Sequence, residues 1–231
     1  MPKDAASQDL EAEGRVHHAI VEAVLSHQLP PGTRLVEAPL CAAFGVTRSL
    51  LRRVFVRLAG DKVIELHHNR GATVAQPGRD EMREVFQARQ LLEGGVLRAL
   101  DGRAGGPQLE RVRALVADEK AAFDAGNWSA WVRLSGEYHL QLAALLGNSE
   151  IDTILRSLVA RTTLMKALYH SQTASVCSFD EHTQILDAMQ AGDLDRSCRL
   201  MHAHLHGAQS KLQKNPSPRS VDLLALFQPA A

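Results

Sequence analysis

Apolar residues return every three or four positions through most of this chain, and one short region breaks to an alternating pattern. Val16, Ala19, Ile20, Ala23 and Val24 share a helical face, and the helix they predict ends before Leu29-Pro30-Pro31-Gly32. A second stripe, Leu51, Val54, Phe55 and Leu58, falls at i, i+3, i+4 and i+7, while Arg48 and Arg52 lie one turn apart on another side. Before it, Gly45 can take positive φ and close a helix that begins near Pro39, and Thr47 can cap the helix that follows. The alternating region comes next. Val63 to Leu66 and Ala72 to Val74 are β-compatible runs joined by His67-His68-Asn69-Arg70-Gly71, a loop with turn-forming Asn and Gly.

After the linker Gln76-Pro77-Gly78 every periodic segment is helical. Six helices are expected: Asp80 to Leu100, Leu109 to Phe123, Trp128 to Leu146, Ser149 to His170, Phe179 to Ala191 and Leu194 to Lys214. Gly-containing breaks separate them, the pattern of a bundle with short connections. The fold class is therefore mainly α, with an N-terminal winged helix-turn-helix followed by an all-α six-helix bundle. Residues 1–14 are polar and acidic and are expected to form a flexible arm. Residues 15–77 form the winged helix, 78–214 the helical domain and 215–231 an irregular tail in which Val221 to Phe227 can dock as a short helix.

Composition sharpens this picture at two points. No apolar run approaches the roughly 20 residues that span a bilayer, and the N-terminus lacks a signal-peptide core, so the expected location is cytoplasmic with no membrane partner. Cys41, Cys177 and Cys198 are widely spaced and form no C-x-x-C pair, which argues against a disulfide or zinc framework. Formal net charge is zero, yet between Thr47 and Val74 six basic residues face two acidic ones. Positive charge is concentrated on the arginine-bearing helix and hairpin, as phosphate binding requires.

A helix that starts with hydroxyl residues and carries an arginine pair near its N-terminus has the layout of a recognition helix. The collinear series P-P-G-x-x-L, a helix, G-V-T-R-x-x-x-R, a hydrophobic strand and N-R-G resembles the winged-helix domain of the GntR family of bacterial transcription regulators. The resemblance implies a homodimer on a double-stranded DNA operator. Arg48 and Arg52 would read bases, and Thr47, Ser49 and the wing residues Asn69, Arg70 and Gly71 would meet phosphate and minor groove.

In the helical domain, His139, His182 and His204 each fall on an inward stripe of a different helix. Three such imidazoles can meet and bind a divalent metal, or each can be a hydrogen-bonded core histidine. His170, His202 and His206 share no such stripe. The order Leu134-Ser135-Gly136-Glu137-Tyr138-His139, Asp180-Glu181-His182 and Met201-His202-Ala203-His204 resembles the FCD ligand-binding domain of the FadR branch of GntR regulators. The resemblance implies a divalent metal (Zn, Ni or Mn) on the three histidines, and an Asp or Asn four residues before the first. Here Ser135 stands in that place. Arg89 would face the ligand cavity or pair with Glu93, and Arg161 is a further effector candidate. A cavity short of negative charge calls for a small carboxylate effector, its body resting on Leu142 and Ile185. A metal-dependent enzyme built on the histidines is the rival reading, but Glu137, two residues from His139, faces away and offers no general base.

Overall fold

The computed structural model describes residues 5–67, 71–100, 106–169, 178–212 and 221–228. The chain divides into two compact units, Met1–Gln76 with Asn215–Ala231, and Pro77–Lys214. The first begins with α1 (Ala5–Leu25), whose buried side presents Val16, Ile20, Ala23 and Val24. Next come β1 (Arg34–Leu35), α2 (Glu37–Phe44) and α3 (Arg48–Gly60), then β2 (Ile64–His67) and β3 (Gly71–Val74). β3 lies at the centre of the sheet, antiparallel to both neighbours, with Arg34 opposite Thr73 and Ile64 opposite Val74. β1 extends the expected two-stranded wing. Gly32, at φ 73°, turns the Pro-Pro-Gly segment so that its N–H donates to Val74 O at 2.9 Å, and a Cβ there would collide with Gln76.

The expected flexible arm over residues 1–14 is corrected from Ala5 onward, because α1 starts there. Asp9 and Glu13 lie one turn apart and pair with Arg53 of α3, at 2.9 Å for Asp9. Acids that read as a solvated arm thus face the basic helix, and α1 packs on α3.

The second unit contains α4 (Arg79–Ala99), α5 (Gly106–Asp124), α6 (Trp128–Ala144), α7 (Ser149–Tyr169), α8 (Ser178–Gln190) and α9 (Leu194–Ser210). These are the six expected helices. Their packing partners close a ring: α4 on α7, α7 on α6, α6 on α5, α5 on α8, α8 on α9, and α9 back on α4. Asn127 and Asp193 cap α6 and α9 by accepting from Ala130 and Arg196 N–H. Trp131, Tyr138, Leu97, Leu155 and Met165 fill the ring with fully buried apolar volume.

A last helix, α10 (Leu223–Phe227), belongs to the first unit. Asp222 caps it, accepting from Leu224 and Ala225 N–H, and it packs on α2 with the Phe227 and Phe44 rings 4.8 Å apart. Leu223 is buried there. The C-terminal segment therefore covers α2, the supporting helix of the helix-turn-helix. Phe227→Ala is expected to lower the stability of the first unit by about 1 kcal/mol or more, the scale of a lost aromatic pair plus its area. Denaturant unfolding of the full chain followed at the helix-turn-helix, where no change in midpoint is the contrary result, measures it.

Candidate functional site

In the first unit the sequence builds an exposed basic helix face. Gly45, at φ 64°, ends α2, and its N–H bonds back to Cys41 O. Thr47 Oγ1 accepts from Leu50 N–H at 3.3 Å and contacts Ser49 Oγ at 3.0 Å, so both hydroxyl residues sit at the free start of α3. Leu50, Leu51, Val54, Phe55 and Leu58 are buried, which turns Arg48, Arg52, Arg53 and Arg57 to solvent. Arg52 holds Glu37 of α2 with both arms of its fork, Nε to Oε1 at 2.8 Å and Nη2 to Oε2 at 3.2 Å. That contact keeps the Glu37 carboxyl below its usual range. Arg48 has no ion-pair partner among the described residues. Gly71 opens β3 at φ 84°, while Asn69 and Arg70 lie outside the described residues.

In the second unit His139, His182 and His204 come together inside the ring. His182 Nε2 is 3.2 Å from His204 Nε2, which is 3.3 Å from His139 Nε2. Each Nδ1 meets a carboxylate: Glu93 at 2.6 Å for His139, Glu119 at 2.8 Å for His182 and Glu181 at 2.7 Å for His204. These carboxylates fix the tautomer, because Nδ1–H must donate to them. Three Nε2 lone pairs then face one another with no proton between them. Two nitrogens bound about 2.0–2.1 Å from one ion stand roughly 3.0–3.4 Å apart, so these two spacings fit a shared divalent ion. His202 and His206 are exposed, and His170 lies outside the described residues.

The charges around this centre follow from burial. Desolvation, with the neighbouring Arg89 and histidine charges, holds His139 well below its usual range, and desolvation with His182 lowers His204 to about 4. Burial by itself would raise the Glu119 carboxyl, but His182 and then Lys166 and Ser178 outweigh it and lower it to about 2. Glu119 also accepts from Ser178 Oγ at 2.7 Å.

A cavity of about 50 Å³ adjoins the histidines, lined in part by Arg89, Ser135, His139, Lys166, His204 and Lys211. Arg89 lines this cavity and also pairs with Glu93. Its Nε donates to Glu93 Oε1 at 2.7 Å and its Nη1 to Thr162 Oγ1 at 2.7 Å, while Nη2 is buried without a hydrogen-bond partner. Ser135 lines the cavity and accepts from Lys166 Nζ at 2.9 Å. Arg161 does not line it, which corrects its place among the effector residues: Nη2 donates to Glu81 Oε1 at 2.7 Å, tying α7 to the start of α4. One residue along a helix turns a side chain by about 100°, so Thr162 faces inward and Arg161 cannot. Leu142 and Ile185 are core residues behind the wall, and the apolar lining is Phe86, Val132, Leu205, Ala208 and Leu212.

A model of the bacterial regulatory proteins of the gntR family matches residues 12–74, and a model of the FCD domain matches residues 84–207, more than half of the chain. The chain belongs to the GntR family and carries an FCD domain. The Nta operon transcriptional regulator of Aminobacter aminovorans is 24% identical over 183 residues, 78% of this chain and 85% of its own. The HTH-type transcriptional repressor RspR of Escherichia coli K12 is 25% identical over 181 residues, 77% of this chain and 78% of its own. Among solved structures, a GntR regulator from Rhodococcus sp. RHA1 superposes with a TM-score of 0.75 at 24% identity, covering 88% of this chain and 96% of that one. Escherichia coli McbR/YncC gives 0.68 at 16% identity, covering 85% and 94%. These two likenesses show the shared fold. The GntR-family chain is thus a DNA-binding transcriptional regulator, and no helix among its described residues is long and apolar enough to cross a membrane.

Sequence reasoning named the histidines, Ser135 and Arg89 but gave no role to Glu119, Glu181, Ser178 or Lys166. A signal was present: Glu119 continues the stripe Leu109, Val112, Val116, and Glu93 follows Arg89 by four toward Val96 and Leu97. A charge on an apolar stripe asks for a buried partner. Glu93→Gln, which strands a buried guanidinium, is expected to cost about 3–5 kcal/mol in thermal or denaturant unfolding of the helical unit. Acid should act in the same place. Between pH 6.5 and about 4 the unfolded chain protonates a histidine that folded His204 leaves neutral, so stability of chelator-stripped protein falls as pH falls through that window. A flat unfolding temperature from pH 7 to pH 5 is the opposing outcome.

Proposed function

We propose that this regulator binds its operator as a homodimer and that a small carboxylate in the helical unit, held beside a divalent metal, sets its operator affinity. The observation that carries the reading is the histidine centre. His204 Nε2 lies 3.2 Å from His182 Nε2 and 3.3 Å from His139 Nε2, each imidazole is backed by a carboxylate, and the adjoining cavity holds an unpaired guanidinium nitrogen. His139, His182 and His204 would hold the ion, of which Zn, Ni and Mn suit imidazole donors. The ion supplies a Lewis-acid anchor for one end of an anion. Arg89 directs its free Nη2 at the same carboxylate, and Phe86, Val132 and Leu205 exclude water from the rest. Ser135 adds no negative charge, and its oxygen already accepts from Lys166, which leaves the ion one anionic partner short.

At the DNA, Arg48 and Arg52 would contact base edges, and Thr47, Ser49 and the wing at Gly71, with Asn69 and Arg70, would contact the backbone and minor groove. Arg52 reaches the groove by leaving or sharing an exposed pair with Glu37, and such pairs contribute little to stability, so the exchange is cheap. An effector that binds one dimer arrangement better than another shifts operator affinity by that difference and no more. The metal-enzyme reading has less support. Glu93, Glu119 and Glu181 are all engaged with histidine Nδ1, and Glu137 bonds Gln141 on the outside.

Two measurements test this. In a gel shift with DNA from upstream of the protein's own coding sequence, Arg52→Ala should lose roughly tenfold or more per half-site in specific binding. Arg57→Ala should weaken specific and random DNA alike. Equal losses for both DNAs with Arg52→Ala would remove Arg52 from base reading. For the helical unit, elemental analysis should find a divalent ion that is lost with alanine at His139, His182 or His204 and kept with His202→Ala. Protein without metal, unshifted in thermal unfolding by Zn, Ni or Mn, would sink the metal centre.

A further inference from the structure

Lys166 is the cation of the cavity that makes no close ion pair among the described residues, although Glu119 and Glu181, which lines the same cavity, act on it from farther off. Its Nζ donates to Ser135 Oγ at 2.9 Å and stands 3.7 Å from the centroid of the Trp131 ring. Among the described residues no carboxylate pairs with it. The other cations of the lining are matched, Arg89 by Glu93 and Lys211 by Glu181 at 3.9 Å. An ammonium has three donors, and here one goes to Ser135 while the ring covers another side. Desolvation lowers the Lys166 amine to about 8, which still leaves it mostly protonated at neutral pH. A charge held inside a bundle with its acids beyond ion-pair distance is only partly offset, and its remaining donors are left without acceptors. The donors that Lys166 Nζ does not give to Ser135 are free to meet an anion in the cavity.

A second observation points the same way. Arg89, only 4% exposed, keeps Nη2 without a hydrogen-bond partner in the same cavity. Arg89 reaches the cavity from α4 through a carboxylate it shares with His139, and Lys166 reaches it from α7 through Ser135. The cavity therefore offers two separate groups of unsatisfied cationic donors. Ser135 strengthens the second: its oxygen accepts from Lys166, so its own hydroxyl proton is left to donate. A single carboxylate can satisfy one group and leaves the other unpaired.

We propose that Lys166, with Ser135, holds a second carboxylate of the effector, so that the cavity selects a short dicarboxylate over a monocarboxylate of the same length. This deepens, and rests on, the reading of the cavity as an acid-binding site. One carboxylate occupies the histidine and Arg89 end, the other bridges Lys166 Nζ and Ser135 Oγ, and the carbons between them lie on Val132 and Phe86. The volume of about 50 Å³ keeps the spacer short, since it has room for about three to five waters.

Calorimetric titration of the full, metal-loaded chain tests the assignment with malonate against propionate and succinate against butyrate. For at least one pair the dicarboxylate should bind the wild type roughly tenfold or more tighter, the scale of one added hydrogen bond to a charged group. Lys166→Met should erase that ratio while the monocarboxylate affinity stays unchanged. Ser135→Ala should reduce the ratio several-fold, and it serves in place of Lys166→Met if that variant does not fold. Acids that bind the wild type with no preference for the dicarboxylate would overturn the role of Lys166 and leave the acid-binding reading standing. So would a Lys166→Met variant that weakens both members of a pair equally. Failure of every acid to bind wild type would reject both.

Discussion

Three imidazoles and the carboxylates of Glu93 and Glu119 share the interior of a six-helix ring, with half-buried Glu181 at its edge, and charge in such an interior must be matched or the fold loses more than it gains. Each helix brings something to that account. α4 supplies Arg89 and Glu93, α5 Glu119, α6 Ser135 and His139, α7 Thr162 and Lys166, α8 Ser178, Glu181 and His182, and α9 His204. Glu93 shows the constraint most clearly, since its two oxygens serve Arg89 and His139 separately. Remove it and a guanidinium and an imidazole lose their partner together. The packing of all six helices is consequently tied to one polar centre, and a ligand that bonds there acts on the whole ring.

The same chemistry has the opposite consequence in the DNA-binding unit, because water is present. Arg52 on Glu37 and Arg53 on Asp9 and Glu13 are carboxylate pairs like those of the ring, but they lie at the surface, where solvent screens them and their net contribution is small. Arg52 can leave Glu37 at little cost. Burial holds the ring's pairs in one arrangement, and exposure leaves those of the first unit exchangeable.

Much of this was legible in the residues. The period of 3.6 located all six bundle helices, and Gly45 and Thr47 marked the turn between α2 and α3, because capping and positive φ are local properties. The inward direction of His139, His182 and His204 was readable for the same reason, as was the outward direction of Arg48 and Arg52. The misread elements share a cause. Asp9 and Glu13 read as a solvated arm because their partner Arg53 is 40 or more residues away, and β1 went unread because its partner strand lies beyond two helices. Arg161 was assigned to the cavity on its chemistry, whereas its direction on α7 aims it at Glu81.

By itself the sequence determined the elements, the face each one buries and the kinds of side chain that reach the interior, since all three depend on spacing along one helix or strand. Only the tertiary structure decided which of those side chains meet. It brought Glu93, Glu119 and Glu181 to the three Nδ1 atoms, closed His204 Nε2 to 3.2 Å from His182 Nε2 and 3.3 Å from His139 Nε2, and left one Arg89 nitrogen without a hydrogen-bond partner and the Lys166 ammonium without a close ion pair among the described residues. It also folded Phe227 back onto Phe44, across nearly the whole length of the chain. Those meetings depend on the order in which six helices close a ring and on where a terminal segment lands. No local period encodes either, because the partners come from helices far apart in sequence and each pairing is selected against every other charge that could be buried in its place.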